Sequence, residues 1–426
     1  MEERIVVNRV WLSEDGRRIN YDYRATGSAA RYLDGCPAFY ARYEVDLTDV
    51  PESLLMVPLV ANLAPIAWFA GIPLDVPVLD ARFGRALEEI KAIFLEDYPH
   101  LRGADSVLTV AHSVETKGQF SAKAMLFSGG VDAYTTFFRH RHEGVELVSI
   151  RGADIPVEDE RQWNTLLKLT SAEPILATHR KRNIEANLRG FYTYRVNQLV
   201  PSNSWWGSVQ HGLALTSLLA PLSVKYGYGK AYIASSYTEA IQILWGSTPE
   251  IDEQIAWSGC SVVHDGYDLR RVDKIGLIVS EVANSRQKVS LRVCYSELNH
   301  DLNCSVCEKC YRTILALSLF GADPNEFGLS ANSQTYVRIL EFVQGGFSTQ
   351  GSRYFWWELH QRMISSTDFY HFSAADSAMR IEIESALARA LDKPLPAKRF
   401  QAKKMALIAK FPKSFALYLK ARRLFA

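Results

Sequence analysis

Four of the six cysteines, Cys294, Cys304, Cys307 and Cys310, fall within residues 294–310 in the spacing C-x9-C-x2-C-x2-C. Acting together, they require the chain to turn back on itself until four thiols meet at one point. Two-residue gaps let a single knuckle present neighbouring sulfurs with backbone N–H groups turned toward them, and Cys294 at a strand end supplies the fourth. Four thiolates match the closed tetrahedral shell of structural Zn²⁺. An iron–sulfur cluster takes the same donors, and free buried cysteines are the plain alternative. Lys309 and Arg312 stand close enough in sequence to offset the negative charge of a zinc–tetrathiolate group. Clustering of this kind does not resemble a secreted disulfide framework.

The stretch "AMLFSGGVDAYTTFFRH", residues 124–140, reads as a buried strand, a glycine turn and a helix start. Two glycines permit backbone angles and close approaches closed to other residues. The first N–H groups of the following helix are unpaired and sit at the positive end of its dipole. Ser128, Gly129, Gly130, Val131 and Asp132 therefore form a candidate anion site, with phosphate the commonest occupant. An ordinary strand-to-helix turn has the same outline.

Around this turn the pattern alternates. Strands are expected at "KAMLF" (123–127), "VELVSI" (145–150), "PILAT" (174–178) and "KAYIAS" (230–235), with a long apolar helix at "WWGSVQHGLALTSLLAPLSVKYG". Alternation predicts an α/β fold, a parallel sheet with helices on both faces, over 121–320. Ligands of such sheets bind beyond the carboxyl ends of the strands, where this turn lies. Residues 1–120 mix strand-like "RIVVNRVWL" and "AFYARYEVDL" with two helical stretches and read as an α+β domain without a chemical motif. Residues 321–426 read as helical, ending in a basic tail.

Turn and knuckle together narrow the reading. SGGxDS is the pyrophosphate loop of the ATP pyrophosphatase superfamily, and "SGGVDA" resembles it. With a four-cysteine knuckle about 160 residues later, residues 121–320 resemble 7-cyano-7-deazaguanine synthase, of the queuosine biosynthesis family. The matching parts include "YRVNQLVPSNSWWGSVQHGLAL" and the lysine-bearing "RRVDKIGLI" before the knuckle. The resemblance implies a Rossmann-like nucleotide fold, ATP and Mg²⁺ as cofactors beside Zn²⁺, and an adenylated substrate with pyrophosphate released. It casts Asp132 and Lys274 as catalytic, Asp132 near Mg²⁺ and Lys274 on phosphate. Ala133 departs from the family's serine; Thr135 or Thr136 would have to replace its hydroxyl. The flanking regions have no counterpart in the small synthase, so the chain reads as an elaborated relative.

Weaker candidates follow. His264 and Asp265, in "CSVVHDGYDLRR", would face substrate or close a strand. Thr248 before Pro249 reads as a helix N-cap. His211 on the long apolar helix reads as a satisfied core histidine. Cys260 is the one cysteine placed to serve a sulfur-transfer variant, and Cys36 receives no role. From Lys393 to Ala426 there are ten Lys or Arg and no Asp or Glu, leaving the other 392 residues with 38 basic against 47 acidic groups. This tail is a candidate contact for nucleic acid or an acidic partner, or for a membrane surface, beside the plainer reading of a terminal helix with a solvated basic face. No uncharged apolar run reaches the ~20 residues of a membrane span. A cytoplasmic enzyme is expected, activating a carboxylate or amide oxygen for a nitrogen nucleophile. Its acceptor is a small molecule or a protein, and a homodimer is a candidate assembly. ATP-dependent tRNA thiolation and a weakened nucleotide-binding scaffold are the alternatives.

Overall fold

The computed structural model describes residues 3–99, 101, 106–202, 204–294 and 302–395. Eleven strands share one sheet: β1 (Ile5–Ser13), β2 (Arg18–Ala25), β3 (Tyr40–Tyr43), β4 (Leu74–Asp80), β5 (Leu108–Val114), β6 (Ala122–Leu126), β7 (Glu146–Arg151), β8 (Lys181–Ala186), β9 (Tyr228–Ala234), β10 (Ala256–Trp257) and β11 (Cys260–Asp265). Their order is β10-β11-β9-β6-β7-β8-β3-β2-β1-β4-β5. The run β11-β9-β6-β7-β8 is parallel, whereas β10, β3 and β2 each pair antiparallel to their neighbours. The sheet is thus mixed and mostly parallel, rather than parallel throughout.

Helices cover both faces, and side-chain alternation explains why. Ala124, Val148 and Ala231 enter one apolar cluster with the helices Val57–Ala70 and Ala81–Asp97. Their neighbours Met125, Leu147 and Tyr232 enter the other, with the helices Val131–His140, Arg271–Ser285 and Glu308–Ser318. Successive residues of a strand point to opposite faces, so strands apolar on both sides must be covered on both.

Two local expectations are corrected. "PILAT" is not a strand: Pro174 opens a 3₁₀ turn through Leu176, and the third strand is β8, seven residues on. Proline's missing donor and fixed φ suit a first turn and not an interior strand. The long apolar helix is broken, with a π-type turn at Trp206–Gln210 leading into the shorter helices His211–Ser217 and Ala220–Tyr226. Its all-round apolar character reports burial rather than one continuous rod.

The five strands before residue 120 extend the same sheet through β3 against β8. The sheet also curls. Asp80, at the end of β4, caps the helix Ala81–Asp97 and accepts from the N–H and the hydroxyl of Ser258, next to β10. That hydroxyl accepts from the Thr116 N–H just beyond β5 (2.9 Å), so the two sheet edges approach one another there. Beyond residue 320, the helices Ser333–Gln344, Gln350–Ser365 and Asp376–Leu391 pack on the face that carries Val131–His140. The basic tail from 396 onward lies outside the described residues. Among the described residues no helix is long and apolar enough to cross a membrane.

Candidate functional site

Strand β6 is the topological switch of the parallel run. The chain moves outward through β7 and β8, then returns to β6's other side for β9 and β11. Connections diverge there and leave a crevice at the carboxyl ends of the strands. The SGGVD turn occupies it. Gly129 takes φ +75°, a left-handed conformation that glycine adopts without strain. Gly130 is the N-cap of the helix Val131–His140, and no side chain caps that helix start. A Cβ on Gly130 would stand 3.3 Å from the Arg292 carbonyl.

Two connected cavities open here. The larger, about 300 Å³, is lined by Ser128, Gly130, Val131 and Asp132 of the turn and by Asp154, Arg271, Arg292, Lys309, Arg312 and Glu358. The smaller, about 130 Å³, shares Ser128, Asp132, Asp154, Ser236 and Arg292 with it and is otherwise mostly aliphatic. Three parallel strands end against the smaller lobe, contributing Leu126, Val148, Ile150 and Ile233.

Arg292 ties the turn to the cysteines. Its N–H donates to the Gly129 carbonyl (2.7 Å), and two residues later the same arm delivers Cys294. Its side chain is buried, yet Nε and Nη2 have no hydrogen-bond partner and Asp154 stands 4.0 Å from Nη1. Burial lowers its proton affinity, Asp154 being the nearest opposing charge. Two N–H groups of a buried guanidinium left unpaired cost several kcal/mol in order of magnitude, unless an anion completes them. Burial likewise lowers Lys309, to about 7, and lowers Arg312, with Arg271's repulsion adding to it, to about 10. Phe355 lies between the Arg271 and Arg312 guanidiniums, 5.2 and 4.4 Å from its ring centre.

Asp132 and Lys274 meet in space: Lys274 Nζ lies 3.1 Å from Asp132 Oδ1 and donates to the Ser235 carbonyl (2.5 Å). Arg271 Nη2 holds the other Asp132 oxygen at 2.9 Å. Burial works to raise Asp132, but Arg271 and Lys274 hold it below the usual carboxylate range. Lys274 is buried beneath the turn. Thr135 and Thr136 line neither lobe; Thr135 donates back to the Val131 carbonyl. Ala133 is buried and lines the smaller lobe.

His264 and Asp265 do not line the two lobes. His264 Nδ1 pairs with buried Asp252 (2.7 Å), which also accepts from Ser247 (2.6 Å). Asp265 pairs with Arg139 and His140 from the Val131–His140 helix, at 3.2 and 3.0 Å. Thr248 caps Pro249–Asp252 by accepting from the Ile251 N–H. Cys260 opens β11, at the strand end opposite the lobes, and burial pushes its thiol up to about 12.

The four knuckle sulfurs lie within 4.8 Å of one another, with separations of 3.4–3.9 Å along four edges. Sulfurs about 2.3 Å from one tetrahedral ion stand about 3.8 Å apart. The quartet therefore can hold a metal ion such as zinc. In a multinuclear cluster the thiolates bind different irons and spread further. Cys307 is the N-cap of Glu308–Ser318, which places Cys310 one turn in and turns Lys309 and Arg312 into the larger lobe.

Three contributors escaped the sequence pattern. Asn303 staples the knuckle: its Oδ1 accepts from the Val293 and Cys294 N–H groups, and its Nδ2 donates to the Leu291 and Gly328 carbonyls. Arg292 interrupts the strand-like "VSLRVC", and Glu358 stands beside aromatics in "YFWWEL". A lone charge inside an apolar run was the available signal for both. Compared with family models, curated proteins and solved structures, the chain finds no match.

Proposed function

We propose that the chain is a pyrophosphate-releasing, ATP-dependent adenylating enzyme of the kind its resemblance to 7-cyano-7-deazaguanine synthase implies. The observation that carries this reading is Arg292, a buried guanidinium with two unpartnered nitrogens that lines the same cavity as the uncapped helix start at SGGVD. Together they offer a polyphosphate both point charge and directed donors.

In this reading the triphosphate lies in the larger lobe. A carboxylate or amide oxygen of the acceptor attacks the α-phosphorus. The α–β bridging bond breaks, and pyrophosphate leaves with the electron pair. Arg292, Lys309, Arg312 and the turn amides meet the charge that develops on it. A nitrogen nucleophile then displaces AMP from the adenylated oxygen.

Mg²⁺ binds such phosphates through one or two carboxylates. Asp154 faces both lobes and is the freer donor, whereas Asp132 is committed to Lys274 and Arg271. When bound, held by Asp154, the ion would supply positive charge against the developing charge on pyrophosphate. Asp132 instead holds Lys274 and Arg271 against the turn. The four cysteines fit Zn²⁺, which would brace the arm carrying Arg292. No observation favours tRNA thiolation: Cys260 is buried at the far strand end. The acceptor, whether small molecule or protein, and contacts of the basic tail with nucleic acid or an acidic partner stay outside this reading, as does a homodimer.

The test is calorimetry with ATP·Mg and a pyrophosphate assay over a panel of carboxylic acids and amides. Arg292→Leu should weaken ATP at least about tenfold, the worth of one charged hydrogen bond. Its melting temperature should hold or rise, because an unpaired buried charge has been removed. Wild-type affinity in the variant would refute the phosphate role of Arg292. A wild-type chain that binds no ATP would refute the reading itself.

A further inference from the structure

A third cavity, about 580 Å³, opens beside the larger lobe and shares only Tyr237 and Trp245 with it. Its lining differs in kind. Glu96, Asp97, Glu239 and Glu250 line it, all four exposed, and no lysine or arginine does. Burial raises the Asp97 carboxyl, and Glu250 and Glu96 push it the same way. Like charges gathered in one groove repel until cations reach them. Between the carboxylates the wall is apolar: Ile243 and Trp245 line it, and so does Leu244, which is 50% exposed. A groove both acidic and apolar fits an occupant that is both basic and apolar.

The chain carries such a segment. Residues 396–426 contain nine Lys or Arg and no Asp or Glu, with Phe400, Met405, Leu407, Ile408, Phe411 and Phe415 set among the cations. They lie outside the described residues, but their point of departure is fixed. The Leu391 carbonyl, at the end of the helix Asp376–Leu391, accepts from Arg353, and Lys393 Nζ donates to the Gln344 carbonyl (3.4 Å). Two residues before Arg353, Gly351 packs on the groove. A Cβ there would stand 3.1 Å from the Tyr237 hydroxyl and 3.4 Å from Ile243 Cδ1. The tail therefore leaves beside the first turn of a helix that backs the groove. Its 31 residues span about 100 Å when extended, so the groove is within reach.

We propose that the basic tail, residues 396–426, docks in this groove of its own chain. Its cations meet Glu96, Asp97, Glu239 and Glu250, and its apolar side chains cover Ile243, Leu244 and Trp245. Exposed ion pairs contribute little singly and are screened by salt, so the contact draws on several of them together with apolar burial. Tethering adds to both, because a segment joined to its site stands at high effective concentration. The docked tail adjoins the larger lobe along Tyr237 and Trp245, whatever that lobe binds.

The experiment is carbodiimide cross-linking of the full chain, mapped by mass spectrometry. The reagent joins a lysine amine to a carboxylate only where the two are in contact. Wild type at low salt should link tail lysines to the four groove carboxylates within a single chain, and high salt should abolish the links. Glu239→Gln combined with Glu250→Gln should reduce the links to Glu96 and Asp97 about fivefold, the combined worth of two exposed ion pairs. Trypsin should cut the tail faster in that variant than in wild type by a similar factor. No tail–groove links, or links only to other carboxylates, would overturn the docking. Links joining two chains would place a second copy's tail in the groove and overturn docking within one chain. Links and cleavage rates that ignore the double substitution would overturn the role of the groove. A nucleic-acid duplex bound equally by wild type and variant would show the tail free for polyanions and overturn the proposal as well.

Discussion

Glu358 shows how much a single position can hide. It sits on the helix Gln350–Ser365, fully inside the wall of the larger lobe. One oxygen accepts from the Val272 N–H (3.3 Å); the other makes no hydrogen bond and lies near the Tyr354 hydroxyl, which makes none either. Burial raises its carboxyl to about 7 against the pull of the Val272 N–H and Arg271; Asp273 pushes the same way as burial, and Arg312 also faces it. The unfolded chain releases this proton near pH 4.5 and the folded chain near 7, so the folded state binds more protons between those values. Stability should therefore fall as pH rises from about 4.5 to 7, by about 3 kcal/mol for this one group. Glu358→Gln mimics the protonated form and should flatten that slope, making the variant the more stable chain at pH 8. Urea unfolding of both proteins at pH 5 and pH 8 measures it, and parallel losses would refute a protonated Glu358. The one local signal was a lone charge inside an aromatic run. A glutamate among aromatics reads as an exposed helix face until the Arg271–Ser285 helix is packed over it.

The knuckle is the element whose chemistry was plainest in sequence and whose consequence was not. Spacing alone predicted one convergence point, and the four sulfurs stand at tetrahedral separations. Spacing could not reveal that the arm entering the knuckle hydrogen-bonds the glycine turn, or that the helix leaving it lines the larger lobe. Metal content should therefore govern both folding and ligand binding. Elemental analysis should find about one zinc per chain, and Cys307→Ser should lose it along with much of the folded state. Asn303→Ala is the gentler probe. It removes three hydrogen bonds to the entering arm and one to Gly328, worth about 1 kcal/mol each, while leaving all four thiols. It should release zinc to a chelator faster and weaken ATP. A zinc-free chain with unchanged ATP affinity would show that knuckle and lobe are independent.

On the scale of the whole molecule, one sheet joins what composition would divide. The β3–β8 pairing and the Ser258 junction make residues before 120 part of the core that the later strands need. A chain cut to residues 121–395 would bare the β8 edge and one apolar face of the sheet, and exposed edges of that kind aggregate. It should be insoluble or molten by circular dichroism; a monomeric, cooperatively unfolding fragment would refute that dependence. What the sequence determined by itself was local. Apolar runs with a period of two or of about 3.6, a glycine-glycine pair before a helix, and a C-x2-C-x2-C run each act over one or two turns of chain. They located β6, β7, β9, the SGGVD turn and the metal quartet. Tertiary structure decided the rest: that two guanidinium nitrogens of buried Arg292 lack a partner, that Lys274 is buried against Asp132, and that His264 pairs with Asp252. Those facts depend on partners far apart in the chain, Lys274 and Asp132 by 142 residues. Charge in a buried site is set by what packs around it, and packing across such separations leaves no periodic trace in the residues themselves.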